Sequence, residues 1–164
     1  MKTIGLLGGM SWESSLSYYK IINQQTNKLL GNQNNAKSIL VTVNFEEIET
    51  LQHQNRWDEA GEILIEACRN LENGGADFTI ICTNTMHKLL PMIQKHIKIP
   101  FLHIAKATAS SIQKSNIKNI LLLGTKFTMT EDFYKQILIE EGLKLSIPNE
   151  KDIEIVHKII YEEL

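Results

Sequence analysis

Residues 77–88, DFTIICTNTMHK, are the stretch that decides how this chain folds. The apolar run 78–82 is typical of a buried strand, and the polar residues after it are predicted to enter a helix that extends to about residue 96. In α/β proteins, ligands bind where the carboxyl end of a parallel strand faces a helix N-terminus. This junction carries a dense set of acid/base and hydrogen-bonding groups, namely Cys82, Thr83, Asn84, Thr85 and His87. It therefore predicts a functional site.

The bulk composition excludes several classes of partner. The chain has 164 residues and a formal net charge of -2, without a cluster of lysines and arginines, so nucleic acid is not an expected partner. The apolar run 3–10 is interrupted by glycines and is too short to span a bilayer, so no membrane association is expected. Two cysteines and no secretory signal predict a cytoplasmic protein with free thiols.

Strand and helix patterns alternate along the whole chain. Strands are predicted at 2–7, 38–43, 78–82, 101–104, 120–123 and, more weakly, 144–147. A first helix is predicted from a cap at Ser11 or Ser14 to about residue 30. Further helices are predicted at 58–73, 83–96, 106–115, 130–141 and 150–164, while 44–55 stays ambiguous. This order predicts an α/β fold with a mainly parallel sheet and helices on both faces. We expect 1–100 to form a first α/β domain that carries the first-half site residues, and 101–164 a partial second one.

The glycines after the first strand allow two interpretations. Gly5, Gly8 and Gly9 do not form a dinucleotide-binding fingerprint, and no P-loop lysine follows them. They are either a tight strand-to-helix turn or a nest of backbone N–H groups for a carboxylate or phosphate. The sequence leaves both open.

The two cysteines differ in context. Cys68 lies on the apolar stripe of the helix predicted at 58–73 and is expected in the core. Cys82 ends a strand beside a predicted helix N-terminus, where a thiolate is favoured. Because neighbouring strand residues point to opposite faces, either Cys82 or Thr83 faces the site.

Other polar residues of the junction have ordinary structural roles available to them. Asn84 and Thr85, taken alone, are also good helix caps. His87 is equally well interpreted as a packed histidine. With His96 and His103 it lacks the spacing of metal ligands, so no metal site is expected.

Four motifs together resemble the aspartate/glutamate racemase family, and within it the aspartate racemase branch. They are KTIGLLGGMSWES at 2–14, CTNTMHK at 82–88, PFLHIA at 100–105 and LLGTKFTM at 122–129. The resemblance implies a Rossmann-like fold and racemisation of an amino acid, aspartate or glutamate, without pyridoxal phosphate, metal or any other cofactor. In this family one group removes the α-proton and a second returns a proton to the opposite face.

The resemblance also assigns site residues. Thr83 and Cys82 are the catalytic candidates. The residues expected to bind the amino acid are Met10, Ser11, Gln52, Asn84, Thr85, Thr125 and Thr128.

Two departures from the family pattern shape the prediction. Thr83 stands where the common motif has cysteine, and Cys82 comes one residue earlier, so Thr83 is hypothesised to be the nearer acid/base group or a proton relay in an asymmetric site. The family's other cysteine lies in a Gly-Cys-Thr-Glu stretch that these 164 residues do not contain. We therefore expect a truncated chain with an incomplete second pseudo-symmetric half and impaired activity.

Two alternatives stay open on the sequence alone. One is a related isomerase or decarboxylase of the same superfamily, and the other is a non-catalytic amino-acid-binding remnant. The choice between aspartate and glutamate, and between a monomer and a homodimer, is also open.

Overall fold

The structure is a computed structural model that describes residues 1–163, and these form two compact units. The first contains Met1–Thr83 and Leu89–Leu102, and the second contains Asn84–Lys88 and residues 103–163. No helix in residues 1–163 has both the length and the apolar character needed to cross a membrane.

The first unit is built on a parallel sheet. Strand β1 (Thr3–Gly8) pairs with β2 (Lys37–Thr42) on one side and with β3 (Phe78–Ile81) on the other, both parallel. Gly5 sits opposite Ile39 in one ladder and opposite Thr79 in the other. The predicted parallel α/β arrangement is confirmed.

Helices α1 (Trp12–Leu30), α2 (Phe45–His53), α3 (Trp57–Asn73) and α4 (Leu90–Ile93) complete the first unit. Helix α3 carries the predicted apolar stripe, whose buried members are Ala60, Leu64, Ala67, Cys68 and Leu71. Cys68 is fully buried, so its predicted place in the core is confirmed.

The second unit has a small parallel ladder and its own core. Its elements are α5 (Ile104–Lys114), β4 (Asn119–Leu121), α6 (Lys126–Thr130), α7 (Asp132–Glu140), β5 (Lys144–Ser146) and α8 (Glu150–Glu162), and β4 pairs with β5. Apolar side chains of α5 and α7 form the buried cluster, together with Leu143; they are Ala105, Ala109, Tyr134 and Leu138.

The segment after β3 differs from the helix predicted to reach residue 96. A 3₁₀ helix, Thr85–Leu89, is followed by the single turn of α4, with Pro91 in its first turn. Proline lacks a backbone N–H and is tolerated in the first turn of an α-helix but not in its interior, so one continuous helix is interrupted before α4.

Other predicted element boundaries also differ from those observed. Of the strand predicted at 101–104, Phe101 makes only an isolated bridge to Thr79, because α5 already begins at Ile104 with His103 as its cap. The helix predicted at 130–141 corresponds to α7, and the preceding α6 is separated from it by Glu131 in an extended conformation. The ambiguous segment 44–55 contains α2. Residue 164, the predicted end of the last helix, lies outside the described residues.

Candidate active site

The turn after β1 requires glycine at position 9. Gly9 has φ +90°, and a Cβ there would lie 2.2 Å from the carbonyl oxygen of Val43. The backbone N–H of Val43 in turn donates to Gly8 O at 3.1 Å. Met10, buried, and Ser11, partly buried, follow through a cis peptide bond. The glycines thus let the chain leave the sheet against the backbone of the neighbouring strand.

Two serines in the first turn of α1 hold this glycine turn in place. Ser15 Oγ accepts from Gly9 N at 2.9 Å and donates to Ser11 O at 2.9 Å. The Gly9 N–H therefore bonds within the protein, which favours the interpretation as a tight turn over an anion nest at this position. Ser14 Oγ donates to Cys82 O at 2.6 Å and ties the start of α1 to the end of β3.

Cys82 is held in the interior of the first unit. Its side chain is 1% exposed, and its backbone N–H donates to Leu7 O at 2.9 Å. Burial raises the pKa of the Cys82 thiol to about 12, so the thiol stays protonated near neutral pH. The adjacent Thr83 is partly exposed. The thiolate that the sequence predicts at an open helix N-terminus is therefore disfavoured, because desolvation of the buried thiol dominates in the structure.

Gln52, the remaining candidate of the first unit, lies on α2 and is 5% exposed.

Three threonine hydroxyls line up in the second unit. Thr85 Oγ1 lies 2.9 Å from Thr125 Oγ1, which in turn lies 3.2 Å from Thr128 Oγ1. Thr125 also caps α6 by accepting from Thr128 N at 3.4 Å. Thr85 and Thr128 are buried, and Asn84 next to them in the chain is exposed. The structure thus brings together three predicted site residues that are up to 43 positions apart.

An ion pair that the sequence did not indicate fixes the same segment. Both carboxylate oxygens of Glu131 lie 2.9 Å from Lys88 Nζ, and this ammonium lies 5.9 Å from the centre of the Phe127 ring. Lys88 and Glu131 are separated by 43 residues, and a contact at that distance has no local sequence signal. The pair links the 3₁₀ helix to the residue that separates α6 from α7.

These features define an α/β protein with a polar segment after its third strand, and comparison with known proteins identifies the family. The model of the Asp/Glu/Hydantoin racemase family matches residues 7–163, so the chain belongs to that family. The family resemblance predicted from the four motifs is confirmed. The predicted function of an amino-acid racemase is confirmed at the level of the family.

Solved structures agree with this assignment. A protein from Yersinia pestis assigned as an Asp/Glu racemase is 45% identical, with a TM-score of 0.91 over 99% of this chain and 71% of that chain. An aspartate racemase homologue from Pyrococcus horikoshii OT3 is 36% identical, with a TM-score of 0.85 over 100% of this chain and 72% of that chain. The glutamate racemase from Aquifex pyrophilus, at 18% identity, shares the fold with a TM-score of 0.64 over 92% of this chain and 57% of that chain.

Proposed function

We propose that the protein racemises an acidic amino acid, aspartate or glutamate, by removing the α-proton and returning a proton to the opposite face. The observation that carries the proposal is the family match over residues 7–163 together with the polar segment that directly follows β3. The names of the two more similar solved structures, an Asp/Glu racemase and an aspartate racemase homologue, support an acidic substrate.

Thr83 is the proposed acid/base group or proton relay on one face of the substrate. Cys82 is almost fully buried, and its raised pKa, about 12, opposes formation of a thiolate. Thr83 is the more exposed of the two and follows it directly. A hydroxyl is a much weaker acid than a thiol and a poor base unless it is assisted, so proton transfer through Thr83 is expected to be unequal in the two directions.

The remaining site residues are proposed to hold the amino acid. The hydroxyls of Thr85, Thr125 and Thr128 already contact one another, and such a chain can supply donors to a carboxylate. Asn84 offers an exposed amide. Met10, Ser11 and Gln52 are also proposed to bind the amino acid, as the family resemblance implies.

The burial of Cys82 favours one alternative, a protein that binds the amino acid without exchanging its α-proton. The two functions separate in a single experiment. Binding of L- and D-aspartate and of both enantiomers of glutamate is measured by calorimetry, and α-proton exchange is followed by NMR in deuterated water. Binding with exchange supports the racemase, binding without exchange supports the alternative, and no binding of any of the four refutes both.

The role of Thr83 is tested by substitution in the same assay. Thr83→Val is expected to keep substrate binding and to lose exchange, because it removes the hydroxyl at nearly constant shape. Thr83→Cys is expected to change the ratio of the kcat values in the two directions of racemisation; the ratio of the kcat/KM values is fixed at unity because enantiomers have equal free energies. Thr50→Val, at an exposed position of α2, is the matched control. An unchanged direction ratio in Thr83→Cys would refute the asymmetric site.

Two finer expectations belong to this proposal. A homodimer is expected to appear as a concentration-dependent mass in sedimentation. A cytoplasmic location is expected in cell fractionation.

A further inference from the structure

Two histidines from different sequence motifs lie against each other in the second unit. His87 belongs to CTNTMHK and His103 to PFLHIA. Their ring centroids are 4.5 Å apart and the ring planes are inclined by 51°. His87 is 2% exposed. Each motif therefore places an imidazole in the same small volume.

Both imidazoles accept hydrogen bonds from the start of α5. His87 Nε2 accepts from Ile104 N at 3.4 Å, and His103 Nδ1 accepts from Ala105 N at 3.1 Å. The first amides of a helix have no acceptor within the helix, so the two rings satisfy groups that would otherwise be unpaired.

These bonds specify the protonation state of each ring. An imidazole nitrogen accepts only when it carries no proton, so His87 is neutral with its proton on Nδ1 and His103 is neutral with its proton on Nε2. Protonation of either ring would remove the acceptor. It would also place a positive charge beside the positive end of the helix dipole of α5.

The charged and titratable groups around the two histidines either favour the neutral imidazoles or are already paired with another group. Burial and the ammonium of Lys106, in the first turn of α5, lower the pKa of His103. Lys88, next to His87 in the chain, is neutralised by Glu131. The phenol of Tyr134 belongs to the core cluster into which α5 packs.

The segment that the pair holds is the one that carries predicted substrate contacts. His87 N donates to Asn84 O at 3.1 Å, which closes the turn containing Asn84 and Thr85. Thr85 in turn lies 2.9 Å from Thr125 Oγ1. Through His87 this turn is connected to α5, and through α5 to the core of the second unit.

We infer that His87 and His103 are positioning residues that hold Asn84 and Thr85 against α5, and that they do so only while both imidazoles are neutral. The inference rests on the proposed function for its effect on the amino acid. It predicts that affinity for aspartate or glutamate falls as the pH is lowered below about 6.5, because the pKa of His103 lies below the ordinary imidazole value of 6.5.

The two rings use different nitrogens, and this allows a matched pair of substitutions. In His103→Asn the amide oxygen takes the place of Nδ1, and in His87→Gln it takes the place of Nε2; neither side chain titrates in this range. We expect the doubly substituted protein to bind the amino acid with a nearly flat pH profile. His103→Ala is expected to bind about fivefold more weakly at neutral pH, as for loss of a helix cap. His96→Asn, at an exposed histidine of the first unit, is the control.

Calorimetry with aspartate and glutamate gives the pH profiles, and NMR of the protein without ligand gives an independent readout. In the wild type, imidazole ¹⁵N shifts should report the two tautomers, and the Thr85 amide signal should move with the imidazole titration. In the doubly substituted protein that movement should disappear. Reversed tautomers, or a Thr85 signal that follows pH equally in both proteins, would overturn the inference. Correct NMR behaviour without binding of any amino acid would refute the proposed function and leave the positioning of Thr85 standing.

Discussion

Substitution of Gly9 by alanine is expected to destabilise the first unit far more than the same change at Gly75, a glycine of nearly identical φ. Gly9 has φ +90° and Gly75 has φ +91°. A Cβ at position 75 meets nothing within 4 Å, whereas at position 9 it would lie 2.2 Å from Val43 O and 2.7 Å from Val43 N. The comparison therefore separates backbone strain from steric exclusion.

The magnitudes follow from these contacts. In Gly75→Ala the alanine must adopt a left-handed conformation, which destabilises the folded state. Alanine also lowers the entropy of the unfolded chain, which offsets part of this, so the net loss is about 1 kcal/mol. Gly9→Ala incurs the same strain and must also displace the backbone of Val43, which adds about 2 kcal/mol of overpacking. That displacement weakens the hydrogen bond from Val43 N to Gly8 O, worth about 1 kcal/mol. The total for Gly9→Ala is about 4 kcal/mol.

Urea unfolding followed by tryptophan fluorescence measures the difference. The chain has two tryptophans, at positions 12 and 57, and both lie in the first unit, so the signal reports on the unit that contains the substitution. Linear extrapolation gives the free energy of unfolding of each variant. A gap of less than about 1 kcal/mol between Gly9→Ala and Gly75→Ala would refute the steric argument.

Two further outcomes follow from buried polar groups. Thr79 Oγ1 is buried and has no hydrogen-bond partner within residues 1–163, so Thr79→Val should raise the free energy of unfolding by about 1 kcal/mol; a loss of stability in urea would contradict this. Burial raises the pKa of Cys82 from 9.0 to about 12. Below pH 9 the thiol is protonated in both the folded and the unfolded protein, and as the pH rises towards 12 it ionises more readily in the unfolded protein, so the free energy of unfolding decreases. The loss is about 1.4 kcal/mol per pH unit, and Cys82→Ala should show a shallower decline of stability over this range than the wild type.

Periodicity and composition were sufficient for the elements whose signal is local. The stripe of α3 recurs at three- and four-residue steps, and the strands around β1 are short apolar runs bounded by turn residues. The residues around Pro91 follow a helical pattern that predicts one continuous helix, whereas the proline lies in the first turn of a new helix, α4. Residues 101–104 have strand-like composition, yet the cap by His103 starts a helix there.

The candidate site shows the same division between local and distant contacts. Each threonine of the trio was selected by its motif, but the contact of Thr85 with Thr125 spans 40 residues and depends on tertiary structure. The bond from Ser14 to Cys82 O and the Lys88–Glu131 pair have no local signal either. The burial of Cys82 could not be inferred from a strand end alone, because the residue that faces inward depends on the strand's register.

The division of the chain into units has a consequence for how the protein is made. Residues 84–88 belong to the second unit, although they precede 89–102, which belong to the first. On the ribosome, the first unit is therefore complete only after residue 102 has emerged, since Phe101 forms a bridge to Thr79. When residues 84–88 emerge, the rest of the second unit, which begins at His103, has not yet been translated. No single cut in the gene would separate the two units, and we expect their folding to be coupled during synthesis.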